Sequence, residues 1–154
     1  MEFSFCSVSL HRVLNEIGSA QRINMREGVE LLLDLPGQEV TVYTDPARLS
    51  QVINNLVNNA IKFTSEGNIR IGYRPAASGY VNIFVEDTGT GMSREVLEHI
   101  FDRFYKGDSF KQGTGLGLSI CKTIVKRFEG KIEVTSTPGK GTCFTITLPL
   151  KVEE

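Results

Sequence analysis

The chain has 154 residues, room for one domain with a core beneath one side of a sheet and too few for two domains. With 40% hydrophobic and 23% charged residues it has the make-up of a globular chain, which excludes a disordered or low-complexity segment. A formal net charge of -1 with scattered Lys and Arg excludes bulk nucleic-acid binding, and no apolar run is long enough to make membrane contact by spanning a bilayer.

Cys6, Cys121 and Cys143 are odd in number, far apart and each in an apolar context, which reads as buried thiols in a reducing, cytoplasmic compartment. Residues 3–8 alternate enough for an edge strand, and their abrupt start reads as a piece cut from something longer. Ser9 then caps a helix over residues 10–25, with Leu10, Val13, Leu14 and Ile17 on its apolar side. His11 reads as a surface or partly buried residue of that helix. Residues 29–33 and 40–43 read as strands separated by the Pro36-Gly37 turn signal. A helix over residues 46–63 follows, then a strand over 69–74, a turn over 76–79 and a strongly β-prone run over 80–86. Residues 87–91 break that strand, and Ser93 opens a short helix over 93–100. Residues 101–113 show no sustained period and read as a loop. An amphipathic helix over 115–128 and a hairpin of strands 131–136 and 142–148 complete the pattern before a polar tail. The elements predict an α+β fold, a two-layer α/β sandwich with one mixed, mostly antiparallel sheet and about three helices on one face.

The helix over 46–63 is the informative element. Asp45 followed by Pro46 gives it an N-cap and a first turn, and Leu49, Val52, Ile53, Leu56, Val57, Ala60 and Ile61 fall on one side. Arg48, Gln51, Asn55, Asn58, Asn59 and Lys62 form the opposite stripe. Asn54, Asn55, Asn58 and Asn59 all stand mid-helix, where asparagine competes with the backbone and is a mediocre helix former. Asn55 and Asn59, one turn apart beside Lys62, offer neutral oxygens and a cation to a shared ligand. A magnesium ion with phosphates fits that chemistry, since magnesium takes oxygen ligands and phosphates bring the charge. A merely solvated face is the alternative.

Two glycine clusters flank the aperiodic stretch. Asp87-Thr88-Gly89-Thr90-Gly91-Met92 follows a strand, and Gly113-Thr114-Gly115-Leu116-Gly117-Leu118 precedes a helix. Glycines there let backbone approach a ligand, and a helix start offers N–H groups to phosphate oxygens. Neither has the lysine of a Walker loop or the spacing of a dinucleotide fingerprint.

Together these segments resemble the ATP-binding catalytic domain of bacterial sensor histidine kinases, in the GHKL or Bergerat-fold superfamily shared with gyrase B, mismatch-repair ATPases and the large heat-shock chaperones. The resemblance runs over residues 45–150 and more loosely back to the first strand. The family's asparagine motif matches Asn55, Asn59, Lys62, Phe63 and Thr64; its first glycine motif matches Asp87, Gly89 and Gly91. Its phenylalanine motif matches Phe101, Asp102, Arg103, Phe104 and Tyr105, and its second glycine motif Gly113, Gly115, Gly117 and Leu118.

The resemblance implies roles. Asp87 would accept a hydrogen bond from the adenine amino group, with Thr142 beside it. Asn55 and Asn59 would hold Mg2+ bridging the phosphates of ATP, and Lys62 and the amides of Gly115, Gly117 and Leu118 would meet phosphate charge. Lys106 and Lys111 would add charge from the loop, residues 90–113 would form a mobile lid over the nucleotide, and Gly89, Gly91, Met92, Phe104, Gly113, Thr114 and Leu116 would be among the nucleotide-binding residues. His11 and His99 lack the flanking residues of a phosphoacceptor histidine, so the implied partners are a phosphoacceptor and dimerisation domain of the same parent protein and a response regulator receiver domain. Whether that parent is anchored in the inner membrane stays open. The superfamily's ATPases carry a water-activating glutamate where this chain has Asn55, which implies transfer in place of hydrolysis. Two alternatives stay open: a non-catalytic nucleotide-sensing module, and a serine kinase of the anti-sigma type.

Overall fold

The computed structural model describes residues 2–103 and 117–151. Its elements run β1 (Cys6–Ser9), α1 (Leu10–Gln21), β2 (Val29–Asp34), β3 (Thr41–Thr44), α2 (Pro46–Phe63), β4 (Gly67–Ala76), β5 (Tyr80–Asp87), α3 (Arg94–His99), α4 (Gly117–Arg127), β6 (Lys131–Thr137) and β7 (Gly141–Pro149). The strands make a five-stranded sheet in the order β2-β4-β5-β7-β6, and β1 pairs with β3 alone. Only the β2–β4 pairing in the large sheet is parallel, and parallel neighbours need a long crossover; β3 and α2 supply it. The architecture is therefore the mixed, mostly antiparallel α+β sandwich that the pattern predicts. The single sheet expected is in fact a sheet and a separate two-stranded ribbon.

Strand alternation fixes the two faces. Ile69, Ile71 and Tyr73 of β4, Val81, Ile83 and Val85 of β5, and Phe144, Ile146 and Leu148 of β7 are buried on the helix side. They meet Leu10, Val13, Leu14 and Ile17 of α1, Leu49, Val52, Ile53, Leu56 and Val57 of α2, and Cys121, Ile124 and Val125 of α4. At about 25 cal/mol per Å² of apolar surface buried, this one core is the main stabilising term. The other face is polar: Arg70 lies between Asp34 at 3.0 Å and Glu86 at 2.9 Å, with its guanidinium over Phe84.

Several boundaries move. The first strand starts at Cys6, because Phe3 and Phe5 pack edge-on against the buried Phe128 ring and leave the ladder. Helix α1 ends at Gln21 and tightens into a 3-10 turn over Arg22–Asn24. Residues 67 and 68, ahead of the strand expected over 69–74, already belong to β4. All three thiols are free, but Cys6 is exposed, contrary to its apolar neighbourhood in sequence, because β1 sits in the outlying ribbon. His11 is half-buried, its Nδ1 paired with the hydroxyl of Tyr73, which also accepts from the Val40 N–H at 3.1 Å. No helix among the described residues is long and apolar enough to cross a membrane.

Candidate functional site

Helix α2 starts at the cap that the sequence sets. One oxygen of Asp45 accepts from the Arg48 N–H at 3.1 Å, and the other accepts from the Ser4 N–H at 2.7 Å. The four asparagines then divide. Asn54 and Asn58 turn to α1, where Gln21 Nε2 donates to their Oδ1 atoms at 2.9 and 3.2 Å, and Asn24 Nδ2 donates to Gln21 Oε1 at 3.0 Å. Leaving the buried Gln21 amide unpaired would cost about 1–3 kcal/mol, so packing accounts for these two asparagines. Asn58, expected on the stripe with Asn55 and Asn59, belongs to this network.

Asn55 faces α4. Its Oδ1 lies 3.8 Å from where a Cβ on Gly117 would stand, and the buried Cys121 one turn further along α4 has its Sγ 3.8 Å from Val52 O of α2. Asn59 is half-buried one turn on, and Lys62 is exposed in the last turn.

Across from the end of α2, β5 stops at Asp87. Its register sets Asp87 opposite Ile69 of β4 and Thr142 of β7, and the residue is only 7% exposed. Burial pushes its carboxyl above the usual carboxylate range, against the pull of the Gly89 and Thr142 N–H groups that donate to it, and the charge of Glu86 adds to the rise. The Gly89 bond is 2.9 Å. The loop beyond is pinned on both sides: the Thr90 N–H donates to Phe63 O at 3.0 Å, and Thr90 O accepts from the Gly139 N–H at 2.7 Å. A Cβ on Gly89 would stand 2.2 Å from Phe63 O, so no side chain fits where this backbone passes α2. Thr64, fully buried, presses its Oγ1 against the same glycine and has no hydrogen-bond partner among the described residues. Gly91 has a φ of 71° and would put a Cβ 2.2 Å from Thr137 O.

One residue carries this arrangement that motif reading passes over. Ser136 Oγ accepts from the Met92 N–H at 2.7 Å, donates to Gly141 O at 2.9 Å and lies 2.8 Å from Thr142 Oγ1. It ties the loop after Asp87 to the strand that carries Thr142. A serine at an alternating strand position gives no signal of such a role.

The expected lid is described only in part. Met92, Val96 and Ile100 bury their side chains in the core, so residues 92–100 are an anchored helical segment. Phe104, Lys106, Lys111, Gly113, Thr114, Gly115 and Leu116 lie outside the described residues. Gly117 opens α4, and the Leu118 side chain is buried in the core.

The fold thus brings together a carboxylate at a strand end, glycines too tight for any side chain, and amide oxygens on α2 beside the first residue of α4. No group of three or more His, Cys, Asp or Glu among the described residues could hold a metal by itself. Neutral amide oxygens from Asn55 and Asn59 fit an ion whose charge is balanced by a phosphorylated ligand.

Residues 44–152 match the profile of the family described as histidine kinase-, DNA gyrase B-, and HSP90-like ATPase. The chain belongs to this ATPase family. It is 42% identical over 127 residues to the adaptive-response sensory kinase SasA of Crocosphaera subtropica, covering 80% of this chain and 33% of that protein. To the sensor histidine kinase RcsC of Escherichia coli it is 44% identical over 119 residues, 75% of this chain and 12% of RcsC. The chain therefore spans a third or less of these two relatives. The catalytic domain of histidine kinase ThkA superposes with a TM-score of 0.86 at 29% identity, covering 97% of each chain. Full-length ShkA, solved in complex with AMPPNP, gives 0.90 at 27% identity over 99% of this chain and 32% of ShkA. As a member of the ATPase family, the chain has the fold of histidine kinase catalytic domains.

Proposed function

We propose that this chain is the catalytic domain of a sensor histidine kinase, binding ATP with Mg2+ and passing the γ-phosphate to a histidine on another domain of its parent protein. The observation that carries the reading is a pair of different chemistries served by one helix. The loop after the buried carboxylate of Asp87, beside Thr142, is hydrogen-bonded to the C-terminal end of α2 at Phe63 O, and the side-chain amides of Asn55 and Asn59 stand further back on that helix. Asp87 would accept a hydrogen bond from the purine amino group; a carboxylate complements that donor and would repel a keto oxygen in its place. Gly89 and Gly91 would let the ring lie against backbone, and the first turn of α4 at Gly117 would offer N–H groups to phosphate oxygens. Asn55 and Asn59 would hold Mg2+, which when bound would supply positive charge against the phosphates. Lys62 would add a positive charge from α2. Lys106, Lys111 and the glycines of residues 113–115 belong to the proposed lid and phosphate cradle.

Asn55 supports transfer over hydrolysis. An amide cannot take a proton from water, whereas a neutral imidazole already carries the lone pair it needs for attack. The domain's work is then to place the γ-phosphate and to exclude water. The ShkA complex with AMPPNP and the kinase relatives support the reading. The proposed partners are a phosphoacceptor domain within the parent protein and a receiver domain downstream of it.

Calorimetry with ATP, with and without magnesium, on the wild type and Asp87→Ala tests the binding. The variant should lose at least tenfold in affinity, the scale on which a site built for a polar group rejects its absence. Mixing the chain with a phosphoacceptor domain and labelled ATP should give acid-labile phosphohistidine. Acid-stable phosphoprotein, or fast ATP hydrolysis by the chain alone, would overturn the assignment.

A further inference from the structure

Asp87 of β5, Thr142 of β7 and Ser136 of β6 stand directly opposite one another across three neighbouring strands. Opposite residues of antiparallel strands share a face, so the three side chains form a row at one end of the sheet. The hydroxyl of Ser136 is used to its limit. A hydroxyl has one hydrogen and two lone pairs. The Ser136 hydrogen goes to Gly141 O, a carbonyl that can only accept, at 2.9 Å, and one lone pair takes the Met92 N–H at 2.7 Å. Thr142 Oγ1 lies 2.8 Å away, and the second lone pair is all that Ser136 has left for it. Thr142 is therefore the donor in that pair. Its hydrogen is spent on Ser136, and only lone pairs remain for any other neighbour.

We propose that Ser136 is a positioning residue that fixes the Thr142 hydroxyl as an acceptor, so that the purine end of the site offers two acceptors, Asp87 and Thr142, and no hydroxyl hydrogen. The proposal rests on the reading, given above, that Asp87 meets the purine amino group. Two adjacent acceptors admit an amino group, which brings two hydrogens, and repel a keto oxygen in its place. Ser136 also keeps the Thr142 hydrogen off the Asp87 carboxylate next to it, which leaves that lone pair to the ligand. A threonine hydroxyl free to rotate would do neither, because it turns its hydrogen to whichever acceptor arrives.

The test is the ratio of affinities for ATP and for inosine triphosphate, which carries a keto oxygen where adenine carries its amino group, measured by calorimetry with magnesium. Wild type should prefer ATP. Ser136→Ala frees the Thr142 hydrogen, and the ratio should fall about fivefold, the net worth of one hydrogen bond. The same variant strands the Met92 N–H and Gly141 O, but that damage weakens both nucleotides alike. An unchanged ratio with both affinities reduced therefore overturns the positioning role and leaves the reading of Asp87 intact. Thr142→Val removes the hydroxyl and keeps the shape. On that background Ser136→Ala should not move the ratio again, and a second fall of the same size overturns action through Thr142. Should Ser136→Ala fail to fold, Thr142→Val alone decides. Loss of an acceptor weakens ATP and spares inosine triphosphate, whereas an equal or larger loss for inosine triphosphate overturns the fixed direction of the hydroxyl. A wild type that binds both nucleotides equally, or a preference for ATP that survives Asp87→Ala in full, overturns the reading of Asp87 and this proposal with it.

Discussion

At Asp87 the fold holds a carboxylate where ionisation is costly. Its folded-state pKa is raised above the ordinary 3.8 by burial, so its neutral form is the better tolerated one. The contribution to stability is then fully present below 3.8 and is lost as pH rises through the folded-state value. Asp87→Asn should therefore melt higher than wild type at pH 7, and the gap should close as pH falls below 3.8; calorimetric melts across that range check it. ATP affinity should move the other way, falling as acid removes the charge that meets the purine amino group. Gly89 makes a steric counterpart. Alanine there must displace the end of α2, and the expected loss is about 1–3 kcal/mol by urea denaturation. Asp87, Gly89 and Gly91 were legible because an acidic residue and spaced glycines after a strand form a pattern. Ser136 was not, because its part depends on which strands become neighbours, and that lies in the register of β6 against β7.

At the level of the element, α2 shows how far periodicity reaches. The 3.6-residue repeat assigned its buried face well, since Leu49, Val52, Ile53, Leu56, Val57 and Ala60 are buried, and Ile61, expected with them, is partly buried against the same core. It could not sort the polar face, because Asn54 and Asn58 differ from Asn55 and Asn59 only in facing α1, whose packing angle is not written in α2. The division predicts opposite phenotypes. Gln21→Ala should cost about 1–3 kcal/mol of stability and leave ATP affinity within twofold of wild type. Asn55→Ala should leave the melting temperature nearly unchanged and abolish the magnesium-dependent part of ATP binding, both read from thermal shift with and without the ion. The early end of α1 has a related cause. Its last turn feeds Asn24 into the Gln21 amide network, and a regular helix would carry that side chain away.

For the whole molecule, strand and helix order settled the class of fold, because alternating β patterns and amphipathic helices leave few ways to cover one sheet face. The separate ribbon of β1 and β3 was not legible, since four-residue strands carry too little pattern to state their partners. That ribbon joins the body through the buried Val8 and Val42 and the Tyr43 N–H on Leu150 O, and Asp45 adds a bond to the segment just ahead of it. Asp45→Ala should lose the usual 0.5–2 kcal/mol of a helix cap, about that much from α2 alone, and chemical denaturation should show a larger loss because the Ser4 N–H is stranded as well. The two oxygens of this carboxylate hold two things at once: the segment that leads into β1 at Ser4 and the opening turn of the asparagine-bearing helix. One side chain thus couples the segment at Ser4 to the opening turn of α2, so both should loosen together when Asp45 is replaced.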